Sequence, residues 1–277
     1  MNKKLSDSLS LPAAGWGHAL AALGGARAGM AEGTRPSLAG VLAALPANAC
    51  HEIFAKGKGD AASLLGFGAM LGAVLAKEHG PCFFVRPLQN GGEQLYPPGL
   101  ADLGMDPAGC FSVHAPDLLA ALKATADIAR SGAAGAVVLE IEGNPRLLDL
   151  TASRRLALAA EKAGTAVLLL RMGAREVPSA AYSRWLVASA PSRPDRLMAM
   201  GAAIDAPGGP AFDICLLRHR RMAAGQSARL VWYPENWTFY EEDVAPAPGE
   251  RAGEAAFGAA LSLVARRAAD QDTRRAA

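Results

Sequence analysis

The amino-acid sequence predicts an α/β protein with a mostly parallel central sheet flanked by helices. Apolar runs at 136–141 and 165–170 carry almost no polar residue, which is typical of strands buried on both faces. Stretches with helical periodicity, such as 116–131 and 151–163, separate these runs, and this alternation indicates parallel strands joined by right-handed crossovers. Apolar residues make up 51% of the chain and charged residues 19%, which is enough apolar material for a large core.

The predicted elements follow one another regularly along the chain. Apolar runs and helical spacing predict core strands at 51–55, 82–86, 111–114, 136–141 and 165–170, helices at 61–77, 116–131 and 151–163, and a helical turn at 100–103. Beyond Arg171 no helical stretch separates the apolar runs. We therefore expect antiparallel strands at the C-terminal side of the sheet, at 186–190, 211–218 and 228–233.

Proline and glycine divide the chain into three predicted parts. Residues 1–46 are expected to form a short N-terminal helical arm, in which Pro12 and Pro36 precede two helices. Residues 47–245 form the core. Residues 246–277 are predicted to form a helix and a tail on a Pro/Gly tether.

Composition and charge argue against several classes of protein. The net charge of +2 is too small to indicate nucleic-acid binding, although twelve Lys/Arg face six Asp/Glu between Arg146 and Arg221. The four cysteines are far apart and adjoin apolar runs, which predicts free thiols in a reducing cytoplasm. No signal-peptide core is present, and the longest apolar stretch, 64–76, has 13 residues, too few to span a bilayer. We expect a cytoplasmic protein without a membrane partner.

The stretch 48–76 has the layout of a phosphate-binding loop: a short strand, a Gly/Lys turn and a helix. A working loop reads G-x-x-x-x-G-K-[ST], and here that register is broken. Asp60 stands in place of the last glycine, Ala61 in place of the lysine and Ala62 in place of the magnesium-binding hydroxyl. The predicted degenerate nucleotide loop consists of Gly57, Lys58, Gly59, Asp60 and Ser63, with Glu140 at the end of a core strand as the acid in the metal-binding position.

Two interpretations of this turn stay open. Gly57, Lys58 and Gly59 can hold an anion through backbone amides at the helix N-terminus, with the lysine reaching a phosphate. Alternatively, the segment is a plain strand-to-helix turn in which Asp60 caps the helix. At the end of the second core strand, where an ATPase carries an acid that activates water, the chain has Arg86. We therefore predict no catalytic residue and no cofactor.

The residues required by other hydrolases are missing from the sequence. The histidines show no i, i+4 pairing and no acidic partner at ligand spacing; they are His18, His51, His79, His114 and His219. No serine lies in a G-x-S-x-G turn. We expect neither a metal site nor a nucleophilic hydrolase.

Basic and aromatic residues alternate in the second half of the chain. Arg154 and Arg155 lie on one predicted helix, and Arg184 adjoins Trp185. Interleaved cations and rings bind single-stranded nucleic acid by phosphate contact and stacking, so these four residues form a candidate nucleic-acid face. The alternative is a solvated surface with ordinary core aromatics, and direct DNA contact stays open.

The predicted C-terminal helix carries an apolar stripe. Phe257, Leu261 and Val264 have the spacing i, i+4, i+7 on a tethered segment, which is the pattern used by helices that dock into a partner's groove. The same stripe can instead fold back onto the protein's own core.

Several stretches resemble a known family. Residues 51–64, and residues 128–132 leading into the strand at 136–141, resemble the core of bacterial RecA recombinases. More distinctive stretches resemble the ImuA family of RecA-like accessory proteins from the damage-induced mutagenesis cassette: HEI at 51–53, LYPPGL at 95–100, LDLTASRRLALAAE at 148–161 and SRW at 183–185. The resemblance covers roughly residues 36 to 240.

This resemblance implies a RecA-like core and a non-catalytic role in SOS-induced, error-prone translesion DNA synthesis. It implies three partners: the polymerase-like protein ImuB, which is a homologue of Y-family polymerases; an error-prone replicative-type polymerase reached through the same complex; and RecA itself. It also implies partner contact through the C-terminal part of the chain.

Recombinases hold single-stranded DNA on the loops after the strands that here end near Ile141 and Arg171. Both connections are short in this sequence, which disfavours autonomous DNA binding. Two alternative functions stay open: a stress-induced inhibitor of cell division resembling SulA, and a weak ATPase that uses Lys58 and Glu140.

Overall fold

The structure is a computed structural model that describes residues 36–88, 95–193, 195–199, 202–206 and 208–242. Contacts divide the chain into two units, Met1–Pro36 and Ser37–Ala277. Apart from Pro36, the described residues belong to the second unit. The helix predicted after Pro12 and the C-terminal helix with Phe257, Leu261 and Val264 lie outside the described residues.

Nine strands form one large sheet, and two more form a separate hairpin, within the described residues. In chain order the strands are β1 (Cys50–Ala55), β2 (Cys82–Pro87), β3 (Cys110–Ala115), β4 (Ala136–Glu142), β5 (Ala166–Met172), β6 (Ser183–Ala190), β7 (Asp195–Ala199), β8 (Ala202–Ala206), β9 (Ala211–His219), β10 (Ser227–Tyr233) and β11 (Thr238–Glu242). The sheet order is β11-β10-β9-β6-β1-β5-β4-β2-β3, and β7 and β8 form the hairpin. The six strands from β6 to β3 in this order are mutually parallel, whereas β9, β10 and β11 are antiparallel.

In the part of the chain that the structure describes, five α-helices accompany the sheet: α1 (Leu38–Ala43), α2 (Ala61–Ala76), α3 (Pro97–Asp102), α4 (Leu118–Ser131) and α5 (Leu150–Ala163). Local sequence accounts for where the crossover helices α4 and α5 begin. The Asp117 carboxylate accepts the Ala120 N–H at 2.7 Å, and the Asp149 carboxylate accepts the Ala152 N–H at 2.7 Å. These N-caps satisfy amides that the first helical turn leaves unpaired.

The sheet is covered on both faces, as the apolar runs predict. Helix α2 packs on the face that carries Val138 and Leu170, whereas α4 and α5 pack on the face that carries Leu139 and Leu169. Side chains alternate between the faces along each strand, so neighbouring residues of one apolar run enter different cores. The predicted α/β class is confirmed, with a mostly parallel sheet and antiparallel strands at the C-terminal side.

Helix α2 lies unusually close to the sheet because two of its residues are glycines. A Cβ at Gly68 would lie 2.6 Å from Leu170 Cδ2, and one at Gly72 would lie 3.0 Å from Val138 Cγ2. Without side chains at these positions, the helix backbone approaches β4 and β5 directly. The glycines of α2 therefore set its distance from the sheet.

Helix α1 packs into the same core as α2. Leu38, Val41 and Leu42 are buried in that core, and α1 contacts β10 and β11. Ser37 opens the helix by accepting the Gly40 N–H at 3.1 Å.

The structure corrects the predicted C-terminal half of the sheet in two respects. The strand predicted at 186–190 begins earlier, at Ser183, and pairs parallel with β1 instead of antiparallel. The connection from β5 to β6 crosses over without a helix. In addition, the sequence pattern missed β11 and the hairpin of β7 and β8.

One helical stretch among the described residues, Lys58–Ala76, is long and apolar enough to cross a membrane by length and composition alone. The sequence pattern counted only 13 apolar residues here because Asp60 and Ser63 interrupt the run, whereas the helical stretch has 19 residues. More than half of it is buried, as in the core helix of a globular domain.

Candidate functional site

The predicted strand, turn and helix of the degenerate loop are all present. Strand β1 ends at Ala55, and the Lys56 N–H donates to the Val187 carbonyl of β6 at 2.9 Å. A single 3-10 turn, Lys58–Asp60, leads into α2. Gly57, Lys58 and Gly59 are exposed at the carboxyl edge of the parallel strands, where ligands bind in open α/β sheets.

The loop is closed by its own acidic residue. The Asp60 carboxylate accepts the Gly57 N–H at 3.0 Å, the Ser189 N–H at 2.8 Å and the Ser189 hydroxyl at 2.9 Å. Partial desolvation raises the pKa of Asp60, but these hydrogen bonds and the nearby Lys56 charge outweigh it, so the pKa lies below its ordinary value. A carboxylate therefore occupies the position in which a loop amide would meet a phosphate.

This geometry changes the role assigned to Asp60. The expectation that its side chain caps α2 is wrong, because the carboxylate points back to Gly57 and across to Ser189 and makes no capping bond to α2. Asp60 instead ties the loop to β6, the neighbouring strand. The turn is held closed by a contact between residues 129 positions apart.

Ser63 and Glu140 lie on the elements predicted for them. Ser63 is partly buried in the first turn of α2. Glu140 is partly buried in β4, where strand alternation puts it on the same face as Val138, the face that α2 covers, and it has an interaction partner in the structure. Within the described ranges, no three His, Cys, Asp or Glu side chains gather as a metal-binding set.

Arg86 lies at the carboxyl end of β2, as predicted. It is buried and stands opposite His114 of β3 in the parallel register. A guanidinium at this point cannot accept a proton from water at neutral pH, so the position lacks a general base.

A group of buried polar side chains lies between β1 and β6. His51 is paired in register with Ser183, Glu52 with Arg184, and Ile53 with Trp185. The HEI and SRW stretches are thus neighbours, residue for residue, on adjacent parallel strands. All of these polar side chains are buried.

His51 and Trp185 share the hydroxyl of Ser183. The Trp185 Nε1–H donates to Ser183 Oγ at 2.8 Å, and Ser183 Oγ lies 2.8 Å from His51 Nδ1. His51 Nε2 lies 3.1 Å from the Pro46 carbonyl, which can only accept, so Nε2 carries the proton and Nδ1 accepts the Ser183 hydroxyl. Burial lowers the pKa of His51 to about 4, and the imidazole is neutral at pH 7.

Glu52 is the centre of a buried ionic cluster. Its carboxylate accepts Arg171 Nη1–H at 3.3 Å and the Ser179 hydroxyl at 2.8 Å. Arg184 Nε lies 2.8 Å from Glu52 Oε2 and forms an ion pair with it. The direction of this N–H does not meet the geometry of a hydrogen bond. The side chains of Glu52 and Arg171 are each 1% exposed, so the carboxylate is the buried counter-charge of two guanidinium groups.

The two arginines use their other nitrogens to hold the backbone. Arg171 Nη2 donates to the Gly143 carbonyl at 3.0 Å, and Arg184 Nη2 donates to the Val177 carbonyl and to Ser179 Oγ. Arg184 also faces Glu176 at 3.7 Å. Burial lowers the pKa of Arg171, and the charge and hydrogen bond of Glu52 oppose that shift. The cluster fastens the connection between β5 and β6 onto the sheet.

The connections that follow β4 and β5 are bound to each other. Asn144 Nδ2 donates to the Arg175 carbonyl at 2.8 Å, and the Arg175 N–H donates to Asn144 Oδ1 at 2.6 Å. The Ala180 N–H donates to Ser153 Oγ on α5 at 3.2 Å. Both connections are short, as the sequence predicts, and these hydrogen bonds hold them together.

The four residues of the candidate nucleic-acid face do not share one surface, because two are buried and two are exposed. Trp185 is fully buried and Arg184 is 7% exposed, so the prediction is wrong for both: neither side chain reaches solvent to stack on a base or neutralise a phosphate. Arg154 and Arg155 are exposed on α5. Their role stays a prediction.

Sequence reasoning missed the importance of Glu52, Ser183 and Ser179. The available signal was a polar pair, His-Glu, inside an apolar strand, matched by a second polar pair, Ser-Arg, at the start of another strand. Buried polar residues need partners, so two such pairs at equal offsets indicate neighbouring strands.

The comparisons with known proteins found a similarity over part of the chain. No family model matches the chain. Over 110 residues the chain is 37% identical to Protein ImuA of Caulobacter vibrioides, in each of two strains. The matched stretch covers 36% of this chain and 43% of the length of those relatives, so the chain spans less than half of the curated relatives it matches. The chain is therefore similar to ImuA over part of its length.

Proposed function

We propose that this chain is a non-catalytic accessory protein in SOS-induced, error-prone translesion DNA synthesis and acts through contacts with other proteins. The observation that supports the proposal is the loop closed by Asp60, whose carboxylate already accepts the Gly57 amide that a phosphate would need. The partial similarity to Protein ImuA supports a role in damage-induced mutagenesis. The core is proposed to be RecA-like, in keeping with the resemblance of its strands and loop.

The loop chemistry opposes a bound triphosphate. A phosphate at the loop would meet the negative charge of Asp60, and it would have to replace the hydrogen bonds from Gly57 and Ser189. The sequence also lacks the lysine that neutralises the terminal phosphates and the hydroxyl that binds magnesium. These properties favour a fold element that is retained for structure over a weak ATPase.

The proposed partners are those that the resemblance implies. The chain is proposed to bind an ImuB-like homologue of Y-family polymerases, to reach an error-prone replicative-type polymerase through that complex, and to contact RecA. Direct DNA contact is not part of the proposal, because the two connections that resemble DNA-binding loops are short and tied to each other.

A nucleotide titration tests the non-catalytic proposal. The full chain is titrated with fluorescent ATP and magnesium, and we expect no saturable binding tighter than about 1 mM. Micromolar binding that is abolished by Lys58→Ala and unaffected by Lys123→Ala, an exposed lysine on α4, would overturn the proposal in favour of an ATPase.

A truncation tests the proposed partner contact. Deleting residues 247–277, which include Phe257, Leu261 and Val264, is expected to abolish co-purification with the polymerase-like partner. The melting temperatures of the truncated and full chains are compared to show that the core is intact. Undiminished partner binding by a folded truncated chain would contradict this part of the proposal.

A further inference from the structure

Helix α5 and the turn before it present three leucines to solvent. Leu147, just before the helix, is 50% exposed, and Leu150 and Leu158 are each 54% exposed. At 100° per residue, Leu150, Arg154 and Leu158 fall within an arc of about 80° around the helix axis, and Leu147 lies in the turn that leads into the helix. Arg155 flanks the arc. We call this set of five residues the leucine–arginine face.

The opposite side of α5 holds the helix firmly in place. Leu156, Ala159 and Ala160 are buried against the sheet. Ser153 accepts the Ala180 N–H from the β5–β6 connection at 3.2 Å. A partner would therefore meet a preformed surface and would not have to order it first.

The charge of the leucine–arginine face is not balanced by the chain itself. Neither Arg154 nor Arg155 forms an ion pair with any residue that the structure describes, in contrast to Arg171 and Arg184 in the interior. The nearby Asp149 carboxylate is engaged as the N-cap of α5. Glu161, one turn beyond Leu158, is exposed and falls within the same arc, at its C-terminal end. The face therefore offers guanidinium groups among apolar side chains.

The apolar and cationic side chains of the leucine–arginine face favour some binding partners over others. A second copy of the chain that paired antiparallel about the centre of the face would bring Arg154 against its own counterpart, which like-charge repulsion opposes. A nucleic acid is favoured where aromatic rings accompany the cations, but the ring predicted for that task, Trp185, is buried. An acidic amphipathic helix satisfies both components: its apolar stripe covers the leucines, and its carboxylates pair with the arginines.

We infer that the leucine–arginine face of α5 is a docking site for an acidic amphipathic helix of a partner protein. The partner's apolar residues lie along Leu147, Leu150 and Leu158, and its flanking carboxylates bind Arg154 and Arg155. The contact is separate from the one proposed for residues 247–277. It rests on the exposed side chains of α5 and not on the proposed role in mutagenesis.

Site-specific cross-linking in the cell of origin tests the docking site. The full chain carries photoreactive benzoylphenylalanine in place of Leu150 or Leu158, or in place of Leu88, a 58% exposed leucine after β2 that serves as the control. We expect adducts after DNA damage at the first two positions and not at Leu88. The cross-linked peptide, sequenced by mass spectrometry, is expected to be acidic with apolar residues at helical spacing.

A synthetic peptide of the cross-linked sequence is then titrated with the purified full chain. We expect the double variant Leu150→Ser/Leu158→Ser to lose at least about tenfold in affinity, and Arg154→Glu/Arg155→Glu to lose a similar factor. Lys123→Glu on α4 is the charge control and is expected to bind like the unaltered chain.

Several outcomes would overturn the inference. They are adducts to DNA or RNA alone, equal adducts at Leu88, no adduct, a cross-linked peptide without acidic amphipathic character, or affinities that the two double variants leave unchanged. An acidic helix from a protein outside DNA replication would support the docking site and count against the proposed function. The two proposals therefore fail separately.

Discussion

Two polar regions of the molecule meet at strands β1 and β6 and differ in how they use their side chains. At the carboxyl edge, the loop from Gly57 to Gly59 is exposed, and the Asp60 carboxylate accepts hydrogen bonds from the Gly57 amide and from Ser189. A few residues earlier, the β1–β6 pair buries His51 and Glu52 against Ser183 and Arg184. The loop has the layout of a phosphate-binding loop, whereas the polar side chains of the strand pair are buried and paired with one another.

This difference indicates which polar groups hold the strands in their order. Burying a charge is costly unless a partner stabilises it, so a cluster such as Glu52 with Arg171 and Arg184 constrains which strands become neighbours. The exposed loop carries no comparable cost. We expect substitutions in the strand pair to affect stability strongly and substitutions in the loop to affect it little.

Glu52→Gln is expected to have the largest effect. It leaves two buried guanidinium groups without their shared counter-charge, and we expect a loss of about 3–5 kcal/mol in the free energy of unfolding, measured with urea at pH 7. Asp127→Asn removes an exposed ion pair with Arg130 and is expected to cost less than about 1 kcal/mol. Equal losses for the two variants would remove the distinction between buried and exposed charge.

The buried His51 is expected to make stability dependent on pH. Its pKa is about 4 in the folded protein against 6.5 in the unfolded chain, so the unfolded state binds more protons between these values. The contribution of His51 to the free energy of unfolding is complete above about pH 6.5. It is lost as the pH falls toward 4, by up to about 3 kcal/mol. Burial lowers the pKa of the partly buried His219 as well, which acts in the same direction.

Urea titrations at pH 7 and pH 4.5 measure this dependence. We expect His51→Gln to flatten it and the exposed control His114→Gln to leave it unchanged. A His51 variant with the same pH dependence as the unaltered chain would show that other groups dominate acid unfolding.

Ser183→Ala is expected to have an intermediate effect. It removes the shared partner of His51 Nδ1 and Trp185 Nε1 and leaves both buried, at a cost of about 1–3 kcal/mol in urea unfolding. Ser112→Ala removes a matched contact between a serine and His114, 3.0 Å long and exposed, and is expected to change stability by no more than about 0.5 kcal/mol. A loss of similar size for Ser112→Ala would contradict the comparison.

Asp60→Asn is expected to have the smallest effect. The amide keeps one acceptor oxygen but loses the second, and we expect a loss of about 1 kcal/mol in urea unfolding because the site is largely solvated. Lys58→Ala is the control and is expected to be neutral within about 0.5 kcal/mol. A loss of more than about 3 kcal/mol for Asp60→Asn would place the loop among the buried groups that hold the fold together.

The strands β1, β2, β4 and β5 were predictable to within two residues because they are buried on both faces. The run from Ala136 to Ile141 has only Glu140 as a polar residue, and no other local structure accounts for such a run as well. The aspartates that begin α4 and α5 are equally local signals. Strand β11 was missed because Thr238–Glu242 is short, polar and at the edge of the sheet.

The sequence by itself determined the α/β class, the register of the broken loop and the positions of five of the six parallel strands, because all of these follow from residues that are near neighbours along the chain. Only the tertiary structure decided that β6 pairs parallel with β1, that Asp60 bonds to Ser189, and that Trp185 is buried while Arg154 is exposed. Contacts between residues more than 100 positions apart leave no periodic pattern in the sequence. Their partners are selected by packing and by the cost of leaving a buried polar group unpaired.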